Sequence, residues 1–229
     1  MRKMFISLCV IFAFFISIAF PSDAKAGPFI VLLDPAHGGN DHGVVYDSFR
    51  EKDLTLKFAR LIQEEAQKKQ DFKVHLTRTA DSSVSIAERV KLTEKIKVGC
   101  LLSLHINAGF ANKANGYELY FPGFGKAAND AGNSKAIITD MLQNKSLNDS
   151  VLLFQHIQAA LETVFSRKGR GLRDASCPLL ERLRIPALIL EIGFATNQDD
   201  RKHLMDEKNQ RAVAKAIVKG LEDYSRKSR

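Results

Sequence analysis

Three short runs, nearly all apolar and each with an ionisable residue at or beside its end, constrain this chain most: FIVLLD (29–34), CLLSLHI (100–106) and PALILEI (186–192). Strands covered on both faces read as continuous apolar runs, and such strands belong to parallel sheets. The segments between them carry helical spacing. Leu54, Phe58, Leu61 and Ile62 fall on one face at i, i+4, i+7, i+8. Ser85 to Glu88 has capping-box spacing and opens a helix with Ile86 and Val90 turned inward. Helical stretches follow around Ser134–Gln143 and Ser150–Phe165, the second with Phe154, Ile157, Leu161 and Val164 on one stripe. A last helix carries Val213, Ile217, Leu221 and Tyr224. FKVHLTR alternates as a strand through Phe72, Val74 and Leu76, and GYELYF alternates as a strand near a sheet edge. The expected fold is α/β, a single domain with a mostly parallel twisted sheet flanked by helices.

The N-terminus stands apart from this pattern. Arg2 and Lys3 precede an apolar run from Met4 to Phe20, and Ala24-Lys25-Ala26 supplies a small-x-small cleavage site. The run is shorter than the roughly 20 residues a membrane-spanning helix needs. Residues 1–26 therefore read as a signal peptide, with an uncleaved N-terminal anchor as the alternative, leaving an exported chain of residues 27–229 long enough for one core and with no membrane span after cleavage. Cleavage lowers the formal charge by two from +8, and the remaining excess favours anionic surfaces such as wall polymers. No basic tract is interleaved with aromatics, so nucleic acid is not an expected partner. Cys9 leaves with the leader, while Cys100 and Cys177 are expected free, since sequence cannot show the geometry a disulfide needs.

Polar residues interrupt the apolar runs at corresponding places. His37 lies just past the first strand, His105 in the last turn of the second and Glu191 near the end of the third. In open α/β sheets ligands bind beyond the carboxyl ends of parallel strands, so these three converge on one edge. Glu51, opening the first helix, sits beside the same edge. Each has a plain structural alternative: a turn histidine, a core histidine, a first-turn helix acid. Glu191 resists one, because burying a carboxylate after an apolar run costs several kcal/mol unless a charge partner or metal meets it. Two histidines and a glutamate form a known catalytic zinc set with an open fourth position. A second carboxylate can then transfer protons. No HExxH is present, so this is not a zincin with both histidines on one helix.

The ordered motifs IVLLDPAHGGNDHG, REKDLTLKFA, VHLTRTAD, ERV, LSLHINA, GYELYF and PALILEIGFATN resemble the zinc-dependent N-acetylmuramoyl-L-alanine amidase family throughout residues 27–229. The resemblance implies one zinc ion at the C-terminal edge of the strands, bound by His37, Glu51 and His105, with Glu191 as the catalytic carboxylate. It implies hydrolysis of the amide between N-acetylmuramic acid and L-alanine in peptidoglycan, in the periplasm or at the wall. Residues near 124–147 resemble the helix-bearing insertion of division-associated members, which implies a regulatory element relieved by an activator protein; the alternative is a surface excursion with no gating role. Two positions depart from the family pattern: Ala36, where glycine is usual, and His42, which reads as a surface histidine. Asn107 lies two residues after His105 and is a candidate for substrate contact or ligand orientation. Arg78 and Arg89 read as ties between sheet and helices, with contact to the anionic stem peptide as the alternative, and His75, His156 and His203 as surface or helix-face residues. Two other functions compete: an exported cysteine hydrolase using Cys177 with His105, and a catalytically inactive wall-binding module.

Overall fold

The computed structural model describes residues 27–47, 49–70, 72–109, 113–122, 134–166, 169, 171–175 and 177–228. The expected leader, residues 1–26, and much of the insertion near 124–147 lie outside the described residues. The elements in chain order are β1 (Phe29–Pro35), β2 (Val45–Tyr46), β3 (Phe49–Arg50), α1 (Glu51–Ala66), β4 (Phe72–Leu76), α2 (Ile86–Lys95) and β5 (Cys100–Asn107). Then follow β6 (Glu118–Pro122), α3 (Ser134–Leu161), β7 (Leu172–Ala175), β8 (Ala187–Phe194), α4 (Gln198–Met205) and α5 (Glu207–Lys227). Six strands form one sheet in the order β4-β1-β5-β8-β6-β7. The first four are parallel to one another, β6 runs antiparallel to β8, and β7 runs parallel to β6. The expected α/β class and mostly parallel sheet are what the structure contains.

Strand periodicity sorts the side chains. Val31, Leu33, Leu102, Leu104, Leu188 and Leu190 point to the face covered by α1, α3 and α5. Their alternates Leu32, Leu101, Ala187 and Ile189 point to the other face, covered by Val90 of α2 and by Leu179, Leu180 and Leu183. Two residues further along, this second face turns polar: Asp34 in β1, Ser103 and His105 in β5, Glu191 in β8. The cover of α2 and the 179–183 segment stops short of that end, which leaves a polar shelf over the C-terminal half of the strands.

Some expectations need correction. Ile86, expected inward, is exposed, while Val90 packs inward as expected. The capping box is present, Ser85 Oγ accepting from Glu88 N–H while the Glu88 carboxylate accepts from Ser85 N–H. The two expected helical stretches are one helix, α3, because the intervening NKSLND contains no proline or glycine to break it. Phe154, Ile157 and Leu161 face the core from it, but Val164 lies beyond its end. GYELYF gives β6, one strand in from the edge, which is β7. Cys100 and Cys177 are both free.

Candidate metal centre

The chain leaves β1 through Ala36 and reaches His37 in a left-handed backbone conformation, φ +62°. That conformation costs an L-residue roughly 1–2 kcal/mol, and several bonds hold it. Arg89 Nη2 donates to His37 O at 3.1 Å, and Gly38 and Asp41 exchange backbone bonds of 2.9 and 3.2 Å. The His37 ring joins Asp41 Oδ2 through Nδ1 at 2.8 Å, which turns Nε2 toward Glu51. At Gly43, φ +63°, the backbone passes so close to the His37 ring and Glu51 Oε2 that a side-chain carbon would collide with both. Gly38 and Gly39 instead allow close packing against Ser82 and Ser83, so it is Gly43 that shapes the cluster itself.

Glu51 is the first residue of α1 and only 2% exposed. Its Oε2 lies 3.1 Å from His37 Nε2 and accepts from Val44 N–H at 2.8 Å. Its Oε1 lies 3.0 Å from His105 Nδ1 and accepts from Ile106 N–H at 3.0 Å. The two imidazoles meet edge to face at 5.3 Å. Burial alone would raise the Glu51 carboxyl, but the bonds from His105, His37 and Val44 pull its pKa down to about 2. Burial likewise opposes charge on His37, yet Glu51 and Asp41 outweigh it and push its pKa up to about 9. One ligand atom from each of His37, Glu51 and His105 lies within 4.8 Å of the others. Zinc bonds of about 2.0–2.2 Å set tetrahedral ligand atoms roughly 3.4 Å apart, so small side-chain rotations bring this set onto one ion. Two imidazole nitrogens and one carboxylate fit zinc by donor chemistry as well as spacing.

Glu191 lies beside this cluster. Its Cα partner in β5 is His105, and its partner in β6 is Glu118. Glu191 Oε2 is buried and has no hydrogen-bond partner among the described residues. Burial pushes its pKa up to about 7, with Glu51 and Glu118 adding to the rise and His105 and His37 opposing it. On the opposite face of β8, Ile192 borders a separate cavity of about 280 Å³ between α1, α4 and α5, lined also by Phe58, Asp200 and His203.

Residues 31–223 match the sequence profile of a family described as N-acetylmuramoyl-L-alanine amidase. The chain belongs to this amidase family. The amidase AmiC of Escherichia coli is 26% identical over 231 residues, which cover 89% of this chain and 55% of that protein. A Staphylococcus aureus protein described as a probable cell wall amidase, LytH, is 30% identical over 202 residues, covering 85% of this chain and 57% of that one. The chain thus spans little more than half the length of either relative. The N-acetylmuramoyl-L-alanine amidase of Clostridium difficile superposes with a TM-score of 0.72 at 27% identity, over 87% of this chain and 97% of that one. The CwlD amidase of Clostridioides difficile, solved in complex with the GerS lipoprotein, gives 0.67 at 26% identity, over 86% and 98%.

In this amidase-family chain the four expected site residues are brought together. Asn107 lies on the same side, its Nδ2 donating to Glu118 Oε2 at 3.1 Å. Arg78 and Arg89 hold the His37 loop from beneath, through Pro35, Ala36, Lys52 and His37 carbonyls. His42, His75 and His203 are exposed and His156 is half-buried. Cys177 packs against the second apolar cluster, while His105 gives its Nδ1 to Glu51. Sequence reasoning missed Asp41, Glu118, Tyr120 and Arg173. Glu118 carried the same signal as Glu191, a carboxylate between apolar strand residues. Arg173 carried none, because β7 is too short to announce itself.

Proposed function

We propose that this chain is a zinc amidase that hydrolyses the bond between N-acetylmuramic acid and L-alanine in peptidoglycan. The observation that carries the reading is a Glu191 oxygen, unpartnered among the described residues, set in register beside the His37–Glu51–His105 cluster. A buried polar atom without a partner is costly in a folded protein and marks a place where something else is to be met.

His37 through Nε2, His105 through Nδ1 and Glu51 would hold the ion. Asp41 fixes the His37 tautomer, and the Ile106 and Val44 amides fix the Glu51 carboxylate. When bound, zinc supplies Lewis acidity, making water easier to deprotonate near neutral pH and drawing electron density from a carbonyl oxygen. Glu191 accepts the proton of the attacking water and delivers it to the leaving nitrogen of L-alanine. Its buried carboxyl, with a pKa near 7 before any cation adds its pull, is suited to both transfers.

The leader reading of residues 1–26 supports export, to the periplasm or, alternatively, to the wall outside the cell. The insertion near 124–147 is read as a regulatory element that an activator protein engages, in keeping with a relative whose structure is solved in complex with a lipoprotein. Its described end agrees: Met141 and Leu142 of α3 are exposed, and Leu147 is the first described side chain of that helix to be buried. No helix among the described residues is long and apolar enough to cross a membrane.

Mass spectrometry of products from purified peptidoglycan tests the activity, with and without chelator and with Glu191→Ala. Free stem peptides released by the wild type alone support the reading. Disaccharide-peptide products, or cleavage indifferent to chelator, overturn it. Deleting 126–146 tests the insertion: a folded deletant with basal activity unchanged or lower argues against gating.

A further inference from the structure

We propose that Arg173, held in place by Glu118 and Tyr120, reads a carboxylate on the peptide side of the bond to be cleaved. The proposal rests on the amidase reading above and assigns the direction in which substrate lies across the sheet.

Three strands line up the relevant side chains. His105 of β5 pairs with Glu191 of β8, and Glu191 with Glu118 of β6. Tyr120, on the same face of β6 as Glu118, pairs with Arg173 of the edge strand β7. The order along the shelf is therefore metal cluster, Glu191, Glu118, Arg173. Glu118 is 2% exposed, and its carboxylate accepts from Tyr120 Oη at 2.6 Å, Asn107 Nδ2 at 3.1 Å and Arg173 Nη1 at 3.2 Å. The Arg173 guanidinium also lies 5.7 Å from the centre of the Tyr120 ring. Two contacts thus fix its position. A guanidinium has five N–H donors in a rigid fork, and 45% of the Arg173 side chain faces solvent. Its outward edge can take a second carboxylate.

Direction follows from the chemistry. The scissile carbonyl lies toward the His37–Glu51–His105 cluster, and the nitrogen that Glu191 protonates lies away from it. The peptide attached to that nitrogen then advances toward β6 and β7. Neighbouring strands are about 4.8 Å apart, so β7 lies roughly 10 Å from β8. An extended peptide advances about 3.3 Å per residue. The residue after L-alanine therefore arrives roughly 7 Å from the cleaved bond, within reach of an arginine side chain based on β7. A free carboxylate there meets a positioned cation, whereas a glycan, which carries no charge at the corresponding distance, would not use it.

The test compares purified peptidoglycan with the same material after its free carboxylates are converted to carboxamides with carbodiimide and ammonia. Zinc-loaded full-length wild type, Arg173→Gln and Arg173→Lys are assayed for stem-peptide release. Binding of both polymers is measured by co-sedimentation in a Glu191→Gln background. The wild type is expected to favour the carboxylate form by about 10- to 100-fold, the range of a hydrogen bond to a charged group. Arg173→Gln should bring that ratio to within about threefold, its loss falling mainly on the carboxylate form. Arg173→Lys should recover part of the preference, and binding should follow the same pattern. An equal loss on both polymers in Arg173→Gln, or a wild type that cleaves both alike, overturns the proposal with the amidase reading intact. A wild type that releases stem peptides from neither overturns the amidase reading itself.

Discussion

Two polar clusters occupy the same end of the same sheet, and they are built on opposite rules. Beneath the His37 loop, Asp34 bonds Thr77 Oγ1, Ser103 Oγ and the Arg89 guanidinium, while Arg78 and Arg89 donate to the carbonyls of 35–37. This cluster is buried and internally satisfied. Above it, the His37 and His105 side chains are about a quarter exposed, at 23% and 26%, and Glu191 holds an oxygen with no partner among the described residues. Residue types do not separate the two, since both mix carboxylates with cationic or imidazole donors. Saturation does. A polar network complete within the protein rigidifies it; an incomplete one carries a cost that, on the amidase reading, zinc and substrate would offset.

That contrast makes opposite forecasts for two carboxylates, measured on the same protein. Glu191→Gln should lower kcat by about 10²–10⁴-fold, the range of a proton-transfer group, with KM little changed. Its thermal unfolding midpoint should hold or rise, because the substitution removes a charge that burial disfavours. Asp34→Ala should do the reverse. Stripping the partner from a buried arginine costs about 3–5 kcal/mol, which for a chain of this size lowers the midpoint by roughly 6–20 °C. Circular dichroism melts and a stem-peptide release assay check both. Destabilisation by Glu191→Gln as large as that of Asp34→Ala would erase the distinction between the clusters.

Much of this was legible beforehand, for definable reasons. The apolar runs at 29–34, 100–106 and 186–192 revealed strands buried on both faces, and the binding edge of parallel strands then brought His105 and Glu191 together. The capping box of Ser85 was readable because its chemistry is local. What escaped was set by tertiary contact. Asp41 is one acid in a polar loop until the His37 ring turns to it. Arg173 lies in a four-residue strand whose existence depends on β6. The two stretches expected where α3 runs unbroken are joined by NKSLND, which lacks a helix breaker and is packed down from Leu147 onward. Ile86 was placed inward on helical spacing alone, and as the first residue of α2 it lies beyond the reach of the second core.

The open cluster can be loosened without being broken. Asp41→Asn keeps the shape of the loop but removes the charge behind His37 Nδ1, so zinc affinity should fall by about 10- to 100-fold, as for other groups that orient metal ligands. Competition against a fluorescent chelator measures it, with saturating zinc restoring most of the activity. Unchanged affinity would mean that Asp41 serves only the loop. A pH series on chelator-treated protein probes Glu191 in the same spirit. Its folded pKa, about 7, lies above the value of an unfolded glutamate, so its contribution favours the fold at acidic pH and is lost as pH rises through about 7. Glu191→Gln should therefore stabilise the metal-free protein more at pH 8 than at pH 5. Equal gains at both would mean that the carboxyl is not held up by burial.

The smallest effect belongs to the residue between the clusters. Ala36, where the resemblance led one to expect glycine, is buried; it is not among the residues with positive φ, and its amide donates to Leu104 O at 3.1 Å. Its carbonyl accepts from Arg78 Nη2 at 2.9 Å and Thr55 Oγ1 at 3.1 Å, bonds that do not depend on the side chain. The methyl group therefore serves neither cluster's chemistry and only limits the freedom of the unfolded chain. Ala36→Gly should cost about 0.5–1 kcal/mol of stability and leave zinc affinity and kcat within about twofold. A larger loss of activity than of stability would show that the methyl helps hold His37 in its left-handed conformation, and would tie the supporting cluster to the open one through a single carbon.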